Sequence, residues 1–262
     1  MRSFWSGAVS FGLINIPVKL YTATDDHGLD FTMLHKGDLS PIRYARICKA
    51  EGKEIPFEDI VKGYEYQKGD YVVLTDEDFV RANVRKNKAI DIVGFAEETE
   101  IDSVYFEKPY YLEPDQGAEK AYFLLREALK QSKKVGIAHF VLKAREHLAI
   151  LKPQDNVVVL NQLRYHDEVR ATKDLNLPEV QPIEKRELDM AIALIEQLTK
   201  VYKPADYQDT YRKELEEVIA QKSKGKPVKP KGEEPQATDV KDLMDVLKAS
   251  LEAERAKAGS QS

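Results

Sequence analysis

A single cysteine, Cys48, stands in a chain of 262 residues. That excludes an intrachain disulfide and fits a reducing cytoplasm. A zinc knuckle needs a second sulfur or an imidazole at short spacing, and three residues after Cys48 comes Glu51. Histidine is almost as scarce. His27, His35, His139, His147 and His166 are scattered, without the H-x-x-x-H or H-E-x-x-H spacing of a metal site. As a nucleophile Cys48 would need a base and an orienting group; His27 and His35 are near in sequence, but nothing marks a triad. The phosphate-cradling GxxxxGK and GxGxxG patterns do not occur. Long apolar runs are missing too: "VVVL" and "HFVL" are far too short to span a bilayer. The start, "MRSFWSGAVSFGLINIPVKLY", lacks the continuous apolar core of a signal peptide. These absences lead us to expect no cofactor, no metal, no membrane and no catalytic centre, and so a cytoplasmic binding protein.

Charge, by contrast, is plentiful. Charged residues make up 32% of the chain, with a net charge of −5. An acidic total argues against a nucleic-acid partner unless the charge is sorted into patches. It is sorted. From 36 to 53 stand Lys36, Arg43, Arg46, Lys49 and Lys53, against Asp38 and Glu51. "RANVRKNK" at 81–88 has Arg81, Arg85, Lys86 and Lys88 and no acid. Between 126 and 152 stand Arg126, Lys130, Lys133, Lys134, Lys143, Arg145 and Lys152, against Glu127 and Glu146. Five lysines and no acid occupy 222–231. The acids gather in "AEETEID" at 96–102 and "KELEEV" at 213–218. This pattern predicts one polyanion-facing surface and a separate acidic one. Ordinary patchiness is the alternative for any one segment.

To about residue 165 the chain reads as short strands rich in β-branched and aromatic residues. They are "WSGAVSFG", "IPVKLYTA", "DYVVLT", "IDIVGF", "SVYFEKPYYL", "VGIAHFVLK", "HLAILKP" and "NVVVLNQLRY". In "SVYFEKPYYL" Val104 and Phe106 share a face, and Pro109 limits the run to an edge strand or a bulge. One helix is inserted, "DQGAEKAYFLLREALKQS", with Ala121, Leu124, Leu125, Ala128 and Leu129 at three- and four-residue spacing. A β-barrel or sandwich is expected. Then "IEKRELDMAIALIEQLTKVY" forms an amphipathic helix with Leu188, Ile192, Ile195 and Leu198 on one face. "YQDTYRKELEEVIAQK" forms a second, with Tyr207, Tyr211, Leu215, Val218 and Ile219 in register. "KSKGKPVKPKGEEPQ" holds no large apolar residue except Val228 and reads as a flexible linker. A last helix is capped by Thr238 or Asp239, with Val240, Leu243, Met244, Leu247 and Leu251 as its apolar stripe. Such a stripe folds back on the body or docks on a partner.

Several of these segments together resemble a known family. "SFWSGAVSFGLINIPVKLYTAT" (3–24), "DIVKGYEY" (59–66), "YYLEPD" (110–115), "AYFLLREAL" (121–129), "GIAHFVLKAREHLAILKP" (136–153) and "DTYRKEL" (209–215) closely resemble bacterial Ku. Those proteins bind DNA ends in non-homologous end joining. The resemblance runs in order from residue 3 to about 222. It implies a mainly β fold with α: a Ku-like β-barrel core with an inserted helix and a bridging arm, followed by C-terminal helices. The core with its DNA-encircling bridge is expected over 1–182 and a helical arm making dimer contacts over 183–222. A flexible basic linker follows at 223–238 and a tail helix for partner recruitment at 239–262.

The resemblance further implies a ring-shaped homodimer on double-stranded DNA ends, working in double-strand break repair by recruiting a D-type DNA ligase. "CKAE" stands where some relatives show C-x-x-C, so Cys48 lies in a basic loop and not a metal knuckle. Candidate phosphate contacts are Lys19 and Lys62, inside the matched motifs, with Lys36, Arg43, Arg46, Lys49, Lys53, Lys134, Lys143, Arg145 and Lys152. Partner contacts are expected from Val240, Leu243, Met244, Leu247 and Leu251. Two alternatives stay open: a lyase acting on abasic sugars through a channel lysine of lowered pKa, and a generic nucleic-acid chaperone.

Overall fold

The computed structural model describes residues 1–82, 88–143, 145–179, 182–225 and 246–253. The chain divides into two compact units, Met1–Asp174 and Leu175–Ser262. Outside the described residues lie Arg85, Lys86, linker positions 226–238, the capping pair Thr238 and Asp239, and stripe residues Val240, Leu243 and Met244.

The first unit is built on a closed barrel of seven strands. In chain order they are β1 (Trp5–Phe11), β2 (Ile14–Thr22), β5 (Ala89–Ala96), β6 (Phe106–Pro114), β7 (Val135–Leu142), β8 (Arg145–Gln154) and β9 (Val157–Leu163). Around the barrel the order is β1-β2-β6-β9-β8-β7-β5. Closure is made by β1 against β5, the one parallel pair, with Ala8 opposite Ala89 and Ser10 opposite Asp91. Parallel pairing needs a long crossover. Here it is the excursion from residue 23 to 88, which holds a separate ribbon, β3 (Lys62–Gln67) and β4 (Asp70–Leu74), and a short helix, α1 (Asp76–Ala82).

Alternation along β2 fills the barrel from one side, while β8 and β9 each bury three residues in succession. Ile16, Val18 and Leu20 of β2 meet Leu112, Phe140, Ala149, Leu151, Val158 and Leu160 in one buried cluster. Each fully buried aliphatic side chain contributes roughly 1.5–3 kcal/mol. A smaller cluster, Val135, Ile150 and Leu163, is covered by Ile101, Tyr105, Phe106 and Leu148. Between β6 and β7 lies α2 (Glu119–Ser132). It buries Tyr122, Leu125 and Leu129, while Leu124 is 65% exposed and Ala128 is exposed. The buried face is therefore rotated from the expected one. Tyr122 belongs on it because its hydroxyl is fully used: it donates to the Leu112 carbonyl at 2.7 Å and accepts from the Val158 amide at 2.7 Å. Burial pushes the pKa of that hydroxyl up.

Strand β6 also departs from expectation. Residues 103–105 form a single helical turn capped by the Asp102 carboxylate, so Val104 is not in the strand. β6 is an interior strand, paired with both β2 and β9. Pro109 is tolerated because its register shift to β9 lies just before it and its pairing to β2 begins only at Tyr110.

In the second unit α3 spans Lys185–Leu198 and α4 spans Thr210–Ser223. α4 starts later than its periodicity suggests, because Asp209 caps it by accepting from the Arg212 amide at 3.0 Å. Tyr207 precedes the helix and stacks near Tyr202, ring centroids 5.4 Å apart.

Candidate nucleic-acid interface

Strand direction gathers one set of groups at one end of the barrel. β2 leaves it at Thr22, β5 begins there after Lys88, and the β7–β8 turn, the start of β6 and the end of β9 all lie there. The 23–88 arm is thus rooted beside Lys143 and Arg145. Trp5 closes this mouth: its indole N–H donates to the Val141 carbonyl at 3.1 Å. The arm returns over Gly7, whose neighbour Ala8 donates its amide to the Lys88 carbonyl at 2.8 Å.

The arm is open on almost every side. Two small loops organise its first half. In one, Leu34 pairs with Pro41 around a turn in which the Asp38 carboxylate accepts from Ser40 and lies 2.8 Å from His35 Nδ1. In the other, Ile47 pairs with Glu54, the Cys48 amide donates to the Lys53 carbonyl, and Gly52 turns at φ +70°. Cys48 therefore serves the turn through its backbone. Arg46 lies over the Phe57 ring at 5.1 Å. Lys62 opens the ribbon, lies over the Phe79 ring at 4.7 Å and reaches Asp76 at 3.3 Å, which ties β3 to α1. The ribbon exposes Tyr64, Tyr66, Tyr71, Val72 and Val73. A two-stranded ribbon with uncovered apolar groups is marginal alone in water, so this surface is made to be covered.

At the barrel mouth the polar groups are interlocked. Gln162, nearly buried, donates through its amide to Glu107 at 3.1 Å, bonds His147 Nδ1 at 3.1 Å and accepts from the Tyr110 hydroxyl. Burial, and then the nearby Arg145, push the His147 pKa down. An amide nitrogen only donates, so Nδ1 of His147 is the acceptor in this contact. Arg145 donates to Glu168 at 2.7 Å. The Glu168 pKa is held down first by the Tyr165 amide and then by Arg145.

The predicted cations do not form one cluster. Lys36, Arg43, Arg46, Lys49, Lys53 and Lys62 lie on the arm; Lys143 and Arg145 lie at its root. Lys134 and Lys152 lie at the opposite end, because β7 and β8 form a hairpin that brings both back together. Lys19 lies on β2, where Asp115 holds it at 2.7 Å and raises its pKa.

Acids sit beside many of these cations. Lys134 reaches Glu97 at 3.0 Å and Lys152 reaches Glu98 at 2.5 Å. The separate acidic surface expected at 96–102 is thus corrected: the turn after β5 lies directly against the start of β7. Arg43 and Lys53 have looser, exposed partners in Glu54 and Glu51, at 3.8 and 3.9 Å. Lys36, Arg46, Lys49 and Lys143 have no acidic partner among the described residues. Exposed pairs exchange readily with other anions in water, so the arm and its root are the surface best able to take phosphates.

Lys88, read only as part of the basic 81–88 segment, and Arg164, not singled out in the sequence at all, are both exposed at this same end. Arg164 follows β9, and only the β8–β9 hairpin register shows that the end of β9 meets the start of β8. Among the described residues no group of three His, Cys, Asp or Glu could hold a metal ion, and no helix is long and apolar enough to cross a membrane.

A closed barrel carrying a long, uncovered arm between its second and closing strands, with cations gathered at the arm's root, defines the class. The sequence comparisons agree. Residues 10–190 match the family model for the Ku70/Ku80 beta-barrel domain. The chain is 44% identical over 254 residues to a protein of Opitutus terrae named non-homologous end joining protein Ku, covering 96% of this chain and 91% of that one. Proteins of the same name from Bacillus subtilis and Archaeoglobus fulgidus are 41% and 42% identical over 258 and 257 residues. They are covered to 83% and 99% of their lengths, with 97% of this chain in each alignment. The chain belongs to the Ku family.

Proposed function

We propose that this protein binds double-stranded DNA ends without regard to base sequence, as a ring-shaped homodimer acting in non-homologous end joining. The observation that carries the reading is the arm. It leaves and rejoins the barrel at one end, bears Lys36, Arg43, Arg46, Lys49, Lys53 and Lys62, and leaves the apolar ribbon around Tyr64 and Tyr71 uncovered. Cations on an arm and at its root suit phosphates, which position a duplex and carry no sequence information. The uncovered aromatic and aliphatic groups suit a second copy of the chain, as do the open faces of α3 and α4.

Specificity for ends then follows from topology: a ring loads only where the duplex stops. Lys134 and Lys152, held by Glu97 and Glu98, contribute less than Lys143, which has no acidic partner among the described residues. The tail recruits and stimulates a D-type DNA ligase through Leu247 and Leu251 together with Val240, Leu243 and Met244. Nothing at Lys19 favours the lyase alternative, since Asp115 keeps that amine charged. Gel-shift titration of linear duplex against covalently closed circle tests the reading; equal affinity for both would refute it.

A further inference from the structure

The α3 helix has two apolar faces in different states. Leu188, Ile192, Ile195 and Leu198 are open, between 43% and 65% exposed. Met190, Ala191, Leu194 and Gln197 recur at three- and four-residue spacing on another face and are half-buried. Among the described residues α4 does not pack extensively along α3. Residues 246–253 are helical. The Gln197 side-chain amide donates to the Leu251 carbonyl at 3.4 Å. On this tail helix Leu247, Ser250 and Leu251 are half-buried, while Val246, Ala249 and Glu252 are exposed. Positions 247, 250 and 251 share one helical face. Two half-buried stripes, joined at Gln197 and Leu251, describe one helix seated on another.

We propose that the Met190–Ala191–Leu194–Gln197 face of α3 is the resting seat of the tail helix of the same chain. Seating withholds Leu247 and Leu251 from a partner until the tail leaves. This rests on the recruitment role given to the tail above. The stretch between Gly225 and Val246 spans on the order of 70 Å when extended, so reach is no obstacle. A short tail helix is marginal alone in water, and the seat keeps it folded as well as hidden. One long hydrogen bond and partial burial make a seat that opens at modest cost. Partner affinity is reduced in proportion to the fraction of tails that are free: a seat occupied nine-tenths of the time weakens docking about tenfold.

Hydrogen exchange of the full chain reads the amides of 246–253 directly. They should be protected, and Leu194→Asp should speed their exchange by at least about tenfold. Leu194→Ala gives the same direction should the charged variant disturb α3. The Leu194 variants should also bind the D-type ligase more tightly. Tail amides exchanging at free-peptide rates in the unaltered chain would overturn the seat. Lost protection with unchanged ligase affinity would overturn the withholding. A responsive seat in a chain whose truncation after Gly225 leaves ligase stimulation intact would overturn recruitment while the seat stands. Bismaleimide cross-linking of Gln197→Cys with Ser250→Cys, on a Cys48→Ser background, separates the two geometries. A product of one 29.9 kDa chain supports seating in the same chain, and a two-chain product contradicts it.

Discussion

The carbonyl oxygen of Lys88 occupies the space beside Gly7 where a side chain would begin: a β-carbon at residue 7 would lie 2.0 Å from it and 2.2 Å from Cη2 of Trp5. Both obstacles are fixed. Lys88 is held by the Ala8 amide, and Trp5 by the Val141 carbonyl. Glycine at this position lets the arm return flush against the barrel. Gly7→Ala should cost about 1–3 kcal/mol, the range for overpacking a well-filled site. Urea unfolding checks it. The same variant should weaken DNA-end binding, because the arm's root has shifted; undiminished stability would show that the arm's return is not fixed here.

Tyr122 makes a second checkable joint. Its hydroxyl serves the Leu112 carbonyl and the Val158 amide, both on the β6–β9 pair. Tyr122→Phe keeps the ring and strands two buried backbone groups, at about 1–3 kcal/mol. Chemical denaturation should show that loss with DNA binding unchanged.

His147 gives the fold an acid-sensitive joint. Its folded pKa lies below the ordinary histidine value, so the unfolded chain takes up a proton first as pH falls. Its contribution is complete above about pH 6.5 and declines below that. Glu168, Asp38 and Asp78 are shifted down as well, but their contributions fade only near and below the ordinary carboxylate range. Stability measured from about pH 7.5 to about pH 5.5 should therefore fall in the native chain and fall less in His147→Gln. An equal decline in both would assign the acid sensitivity elsewhere.

Charge removal should sort by ion pairing. Deleting a cation that binds a phosphate should lower the salt slope of binding by about 0.9. Lys143→Ala, Lys49→Ala and Lys36→Ala should approach that value singly. Lys134→Ala and Lys152→Ala should change the slope less, because Glu97 and Glu98 already neutralise them. Binding to duplexes of unrelated sequence, measured across a salt series, should weaken uniformly.

Much of the barrel is legible in the sequence because strands such as β2 are half-buried and alternate, as in Ile16, Val18 and Leu20. The ribbon strand β3 is not, since "KGYEYQ" is exposed throughout and has no buried face to impose a period. The α2 face is easily misread because Tyr122 counts as polar until its hydroxyl finds two partners. The parallel closure of β1 on β5 joins residues far apart in sequence, and no local pattern encodes it. For the candidate site the cations themselves are visible. Their neutralisation is hidden, because Glu97 meets Lys134 and Glu168 meets Arg145 only through strand register. The open face of α3 is plain from Leu188, Ile192, Ile195 and Leu198; the half-burial of Met190, Ala191 and Leu194 is not, because it depends on contacts that no local pattern encodes.

Encirclement of DNA by the protein is measured most directly by topological trapping. The protein is loaded on linear duplex, the ends are ligated into a circle, and the complex is challenged with about 1 M salt, which screens phosphate interactions beyond roughly 3 Å. An encircling dimer stays on the closed circle and is released when a restriction enzyme cuts it. Loss from the closed circle as fast as from linear DNA would contradict the ring.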